Sequence, residues 1–170
     1  AVEFSPAYRE RVRRARQLIE KAIGENRVMY GVTTGFGALS TRVIDSAEAE
    51  QLQRNIVLSH STSVGAPYTE EEARATMLMV LQNLGQGYSG VRLEVLQLIR
   101  DMLNAGVYPW MPREGSVGYL APEAHMALVL IGEGKAYCRG TLLDGGAALE
   151  KAGLTPMPLA AKEGLALVSG

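Results

Sequence analysis

Apolar side chains return every three or four residues in several separate stretches of this chain, and each stretch has its own start and stop signal. That punctuated helical period restricts the chain to a mostly α-helical fold. Ser5 ahead of Pro6 reads as an N-cap with a first-turn proline, and Tyr8, Val12, Ala15, Ile19 and Ala22 follow at helical spacing up to a stop near Gly24. A second pattern from Ser46 carries Leu52 and Ile56 and runs into the polar stretch Ser59-His60-Ser61-Thr62-Ser63. Thr69 with Glu72 forms a capping box before Ala73, Met77, Val80, Leu81 and Leu84. Ser89 is expected to open the next helix, with Val95, Ile99, Met102 and Leu103 inward and Asn104-Ala105-Gly106 closing it.

Two prolines and two glycines over residues 108–118 predict irregular chain until Pro122 starts a helix through His125, Leu128 and Ile131. Gly132-Glu133-Gly134 ends that helix, and residues 136–143 around Arg139-Gly140 suit a small hairpin. Residues 147–151 make a short helix stopped by Gly153. The loop with Pro156 and Pro158 then leads to Leu165-Ala166-Leu167-Val168, an apolar run with no closing partner in the pattern. No repeat or low-complexity linker divides the chain, so residues 1–170 are expected to form a single domain. Apolar surface is expected on the helices beginning at Ser46 and Ser89 and on residues 165–168, where chains would associate.

Charge narrows the function classes. Seventeen basic and eighteen acidic side chains leave a formal charge of -1 with no long run of either sign, which removes the usual electrostatic support for nucleic-acid or anionic-membrane binding. The lone Cys138 cannot form an intrachain disulfide, and a reducing, cytoplasmic setting fits it best. No apolar stretch approaches the roughly 20 residues that span a bilayer, and residues 1–24 read as a charged amphipathic segment rather than a signal peptide.

Three places hold residues suited to chemistry. Tyr30-Gly31-Val32-Thr33-Thr34-Gly35-Phe36-Gly37 is a glycine-punctuated loop with an aromatic near each end; it suits either a tight turn with packed rings or a mobile cover over a pocket. His60 stands after an amphipathic helix among hydroxyl side chains that can fix the tautomer of an imidazole, and it suits a structural or a substrate-facing role. His125, between Ala124 and Met126, reads as a hydrogen-bonded core residue. Two histidines far apart, with no third ligand at metal spacing, predict no zinc site.

Taken together and in this order, several segments resemble the histidine, phenylalanine and tyrosine ammonia-lyase and aminomutase family. YGVTTGFG at 30–37 is similar to its inner lid loop, and QRNIVLSHSTSVG at 53–65 to its substrate-binding helix end. GSVG at 115–118 with LAPEAHMAL at 120–128 is similar to its cofactor region, and GEG at 132–134 and KEGLAL at 162–167 match further segments. The resemblance implies an amino-terminal ammonia-lyase domain that eliminates ammonia non-oxidatively from an aromatic amino acid. It implies no metal. The electrophile is a 4-methylidene-imidazol-5-one, formed when an internal Ala-Ser-Gly cyclises with loss of two waters, and it accepts electrons from the substrate while a base takes the β-proton.

On that resemblance Tyr30 matches the catalytic tyrosine, which acts as the base when it is a phenolate. Ser59, His60 and Ser169 match substrate-binding positions, and Gly115, Ser116, Val117, Gly118, Tyr119 and Leu120 border the cofactor. Gly31, Thr33, Thr34, Gly35, Phe36 and Gly37 form the lid loop. The Ser59–His60 pair resembles histidine-specific members, which convert L-histidine to urocanate, although some tyrosine aminomutases share it. The family's carboxy-terminal helical bundle, with further substrate ligands, would lie beyond Gly170. Its sites combine subunits, so a homo-oligomer, a homotetramer in the family's manner, is expected.

Two departures stand out. Where the family has Ala-Ser-Gly-Asp, this chain has only Tyr119 between Gly118 and Leu120. The matured ring can be a single fused residue left out of the standard letters, the tripeptide can be deleted, or the chain can be a non-catalytic relative that serves as an oligomerising module. A gap the size of the tripeptide with both flanks intact is what a fused residue leaves. Ser169 replaces the family's asparagine with a shorter hydroxyl that can make only part of its hydrogen bonds.

Overall fold

The computed structural model describes residues 1–35, 46–115 and 122–169. Helix α1, Pro6–Gly24, begins where expected: the Ser5 side chain accepts from the Tyr8 amide, and Val12, Ala15, Ile19 and Ala22 are buried. The Tyr8 hydroxyl donates to the Leu81 carbonyl at 2.8 Å, tying α1 to helix α3, Glu70–Leu84. Thr69 and Glu72 close the capping box of α3 reciprocally, each bonding the other's backbone amide. Helix α2, Ser46–His60, turns Gln53, Ile56 and Val57 inward and leaves Leu52 only half-buried.

Helix α4, Leu93–Ala105, starts four residues later than the Ser89 signal suggests. Gly90 takes φ +72° and packs so closely on α1 that a Cβ there would stand 2.4 Å from Ile19 Cγ1, so the chain must turn before it can coil. The expected stop holds, with Gly106 in the left-handed region at φ 72°. Residues 107–114 are less irregular than their prolines suggest. Strand β1, Val64–Pro67, pairs antiparallel with β3, Pro112–Glu114, and β2, Val107–Pro109, joins β4, Lys135–Cys138, and β5, Thr141–Asp144, in the order β2-β4-β5. Both prolines sit at strand ends, where a missing amide costs the ladder least. Arg139 and Gly140, with φ 53° and 77°, turn the β4–β5 hairpin as expected.

Helix α5, Glu123–Leu130, is the hub of the core, with residues 124–130 buried on every side. Helix α6, Gly145–Lys151, ends before Gly153, and α7, Glu163–Val168, packs on α2 and α5. The apolar run at 165–168 therefore does find a partner within the chain: Leu167 and Val168 are buried. The same holds for α4, whose apolar face lies inside the core, so neither segment offers the association surface expected of it. Among the described residues, no helix is long and apolar enough to cross a membrane.

Candidate functional site

The polar stretch after Leu58 finishes α2 by bonding its last carbonyls. The Ser59 hydroxyl donates to the Ile56 carbonyl at 3.0 Å, the Ser61 hydroxyl donates to the Val57 carbonyl at 2.7 Å, and His60 Nδ1 lies 2.8 Å from the Ile56 carbonyl. A carbonyl only accepts, so Nδ1 must donate here, and the tautomer that does so leaves the lone pair on Nε2. Ser59 Oγ, 3.0 Å from Nδ1, steadies the ring further. His60 is thus the last residue of the helix, half-buried, rather than a residue beyond it. It offers a hydrogen-bond acceptor at the end of a rigid element.

The β1–β3 pair brings Gly115 against the chain that leaves this helix. Val64 is paired with Glu114, and Gly115, at φ +108°, lies so close to Ser63 that a Cβ would stand 3.3 Å from the Ser63 Cα. Gly115 therefore lies beside Ser63, three residues after His60, despite their separation in sequence. Ser116, Val117, Gly118, Tyr119 and Leu120 lie outside the described residues, as do Phe36 and Gly37 of the lid.

The loop around Tyr30 is built by its own threonines. Thr33 Oγ1 accepts from the Met29 amide at 2.9 Å and donates to the Arg27 carbonyl at 2.7 Å. The buried Thr34 hydroxyl accepts from the Gly31 amide and donates to the Gly35 carbonyl, while Gly31 takes φ 68°. Tyr30 stands on this turn with 58% of its surface exposed. The loop's base borders an open cavity of about 810 Å³ whose lining includes Val32, Thr33, Ala49, Arg92 and Ala160. Neither Tyr30 nor His60 lines that cavity.

Ser169 follows α7 directly, and its amide donates to the Leu165 carbonyl at 3.2 Å. Sequence reasoning missed what holds α7 in place. Gly164 N–H donates to the buried Gln53 Oε1 at 2.9 Å, and Glu163, fully buried, accepts from the Arg92 side chain and from the Arg92 and Ala160 amides. One signal was available: Gln53 precedes the apolar Ile56 by three residues, which puts a polar side chain on the inward face.

His125 is a core residue as expected, lying edge-on to Trp110 with ring centroids 6.3 Å apart. The expected hydrogen bond is not made at Nε2, which has no partner among the described residues; Glu123 Oε2 is in the same position. Burial pushes the His125 pKa below its ordinary 6.5. The unfolded chain then takes up a proton near pH 6.5 that the folded chain refuses, so stability is full above that pH and falls on acidification below it. Thermal unfolding from pH 7.5 down to 5 is expected to show this loss, and His125→Phe is expected to flatten it. An equal slope in both proteins would remove His125 as its source.

The family described as aromatic amino acid lyase matches residues 1–170. The chain is 50% identical to the histidine ammonia-lyase of Gloeobacter violaceus and 48% to that of Natranaerobius thermophilus, each over 172 residues, covering 99% of this chain and 34% of the relative. Among solved structures, histidine ammonia-lyase from Trypanosoma cruzi aligns with a TM-score of 0.93 at 39% identity, covering 100% of this chain and 33% of the other. Phenylalanine aminomutase of Pantoea agglomerans aligns with a TM-score of 0.94 at 37% identity, covering 98% and 33%. The chain spans about a third of the length of the relatives it matches.

Proposed function

Because the chain belongs to the aromatic amino acid lyase family, we propose that it is the amino-terminal part of an ammonia-lyase that converts L-histidine to urocanate. The carrying observation is the acceptor at His60: with Nδ1 held by the Ile56 carbonyl, Nε2 can receive the ring N–H of a substrate imidazole. In this reading Ser59 and Ser169 flank the same substrate, and Tyr30 Oη takes its β-proton. The lid residues around Tyr30 keep water from the reacting atoms. Further ligands come from the rest of the polypeptide or from other subunits of a homo-oligomer, in a cytoplasmic setting.

The residues present do not make the family's methylidene-imidazolone, since no Ala-Ser-Gly stands between Gly118 and Tyr119. We take the tripeptide to be there in matured form. Its support is that the two flanking segments, GSVG at 115–118 and LAPEAHMAL at 120–128, are intact on either side of a gap the size of the tripeptide. When present, the group supplies an electrophile. Tryptic cleavage after Arg113 and Lys135 isolates the segment between them. Its mass is expected to exceed that of its letters by an Ala-Ser-Gly unit less two waters, and a mass equal to the letters would leave the chain without its electrophile.

A second reading shares the same acceptor. Nε2 of His60 receives a phenolic O–H as readily as an imidazole N–H, and the structural likeness to the tyrosine aminomutase of Streptomyces globisporus, with a TM-score of 0.92 at 37% identity, is close to that to the histidine ammonia-lyase. Urocanate release from L-histidine against product formation from L-tyrosine separates the two.

A further inference from the structure

Helix α7 has six residues, too few to be stable or placed by its own hydrogen bonds. Its position must come from tertiary ties. One of them reaches α2 at a point that bears on His60. Gln53 is 1% exposed and accepts the Gly164 N–H, one of the amides that the start of a helix leaves without an internal partner. The two backbones approach so closely here that a Cβ on Gly164 would stand 2.7 Å from both the Gln53 carbonyl oxygen and Ile56 Cγ2. Ile56 is also the residue whose carbonyl holds His60 Nδ1 and the Ser59 hydroxyl. The contact that seats α7, and with it Ser169, is therefore made on the same turn of α2 that orients the His60 ring.

We propose that Gln53 is a positioning residue that sets the spacing between His60 and Ser169, by holding the start of α7 against the turn of α2 that carries Ile56. Its role is one of placement: its side-chain oxygen accepts a backbone N–H of α7. Removing the acceptor leaves the Gly164 N–H buried without a partner, and α7 must then shift or fray to satisfy it. The proposal rests on the reading of His60 and Ser169 as substrate contacts, and part of its test is independent of that reading.

The variants are Gln53→Met, which keeps length but removes the acceptor, and Gln53→Asn, one methylene short, which replaces the first if it does not fold. Tyr8→Phe, which removes a hydrogen bond between α1 and α3, serves as the control for general destabilisation. In the full-length protein Gln53→Met is expected to lower kcat/KM for L-histidine by roughly 10- to 100-fold, the scale of a small misplacement at a site. The loss should be smaller for L-phenylalanine, which asks nothing of the His60 acceptor. Hydrogen exchange in α7 is expected to accelerate and the ring-nitrogen NMR signals of His60 to move, with neither change in Tyr8→Phe. If exchange in α7 and the His60 signals stay at parental values in Gln53→Met, the proposal is overturned. A parent that makes no urocanate sinks the functional reading alone, and the exchange and NMR measurements then decide for or against Gln53.

Discussion

Tyr30→Phe is expected to cut turnover of the complete protein by about 10² to 10⁴-fold, the usual scale for removing a general base, while substrate binding changes little. Phenylalanine keeps the ring on its exposed turn and leaves the threonine bonds that build that turn untouched. Only the oxygen that would take the β-proton is lost, so the deficit should fall on kcat and kcat/KM alike. His60→Leu is expected to differ in kind. It replaces the Nε2 acceptor with an apolar wall, which should raise KM for L-histidine and favour a substrate such as L-phenylalanine. Steady-state urocanate production measures both. Near-normal turnover in Tyr30→Phe would end its assignment as the base, and an unchanged substrate preference in His60→Leu would end the histidine reading.

Arg92→Leu is expected to destabilise the fold by about 3–5 kcal/mol, the cost of stripping one partner from a buried ion pair. Glu163 has no exposed surface, and Arg92 meets it with two side-chain bonds, Nε at 2.8 Å and Nη2 at 2.7 Å. The carboxylate also accepts from the Arg92 amide at 2.9 Å, capping α4, whose own N-cap side chain makes no cap bond. Leucine leaves that amide in place but leaves most of the charge uncompensated, with Arg16 Nη1 3.9 Å away as the remaining cation. Urea unfolding of the single variant and of Arg92→Leu with Glu163→Leu separates the pair from the packing. The double variant is expected to be the more stable of the two, because it buries no lone charge. A single variant within about 0.5 kcal/mol of the parent, the range of ordinary surface changes, would show that the pair holds nothing together.

Much that depends on neighbours within about four residues could be read from the sequence alone. The Ser5 cap, the Thr69–Glu72 box, the Gly106 stop and the Arg139-Gly140 turn are local arrangements, and the inward residues of α1, α3 and α4 follow from the helical period. The family motifs were legible for the same reason, as short runs that keep their order. Tertiary structure decided what no window contains. It paired Val64 with Glu114, bringing Gly115 beside Ser63, and it delayed α4 by pressing Gly90 onto Ile19. It joined Gln53 to Gly164 across 111 residues and Arg92 to Glu163 across 71. It also buried the apolar run at 165–168 that looked unpartnered. A cap or a turn is stabilised by the residues that form it and leaves its composition behind, whereas a buried carboxylate or amide is satisfied by whichever group the fold brings near, and nothing in the adjacent letters records that choice.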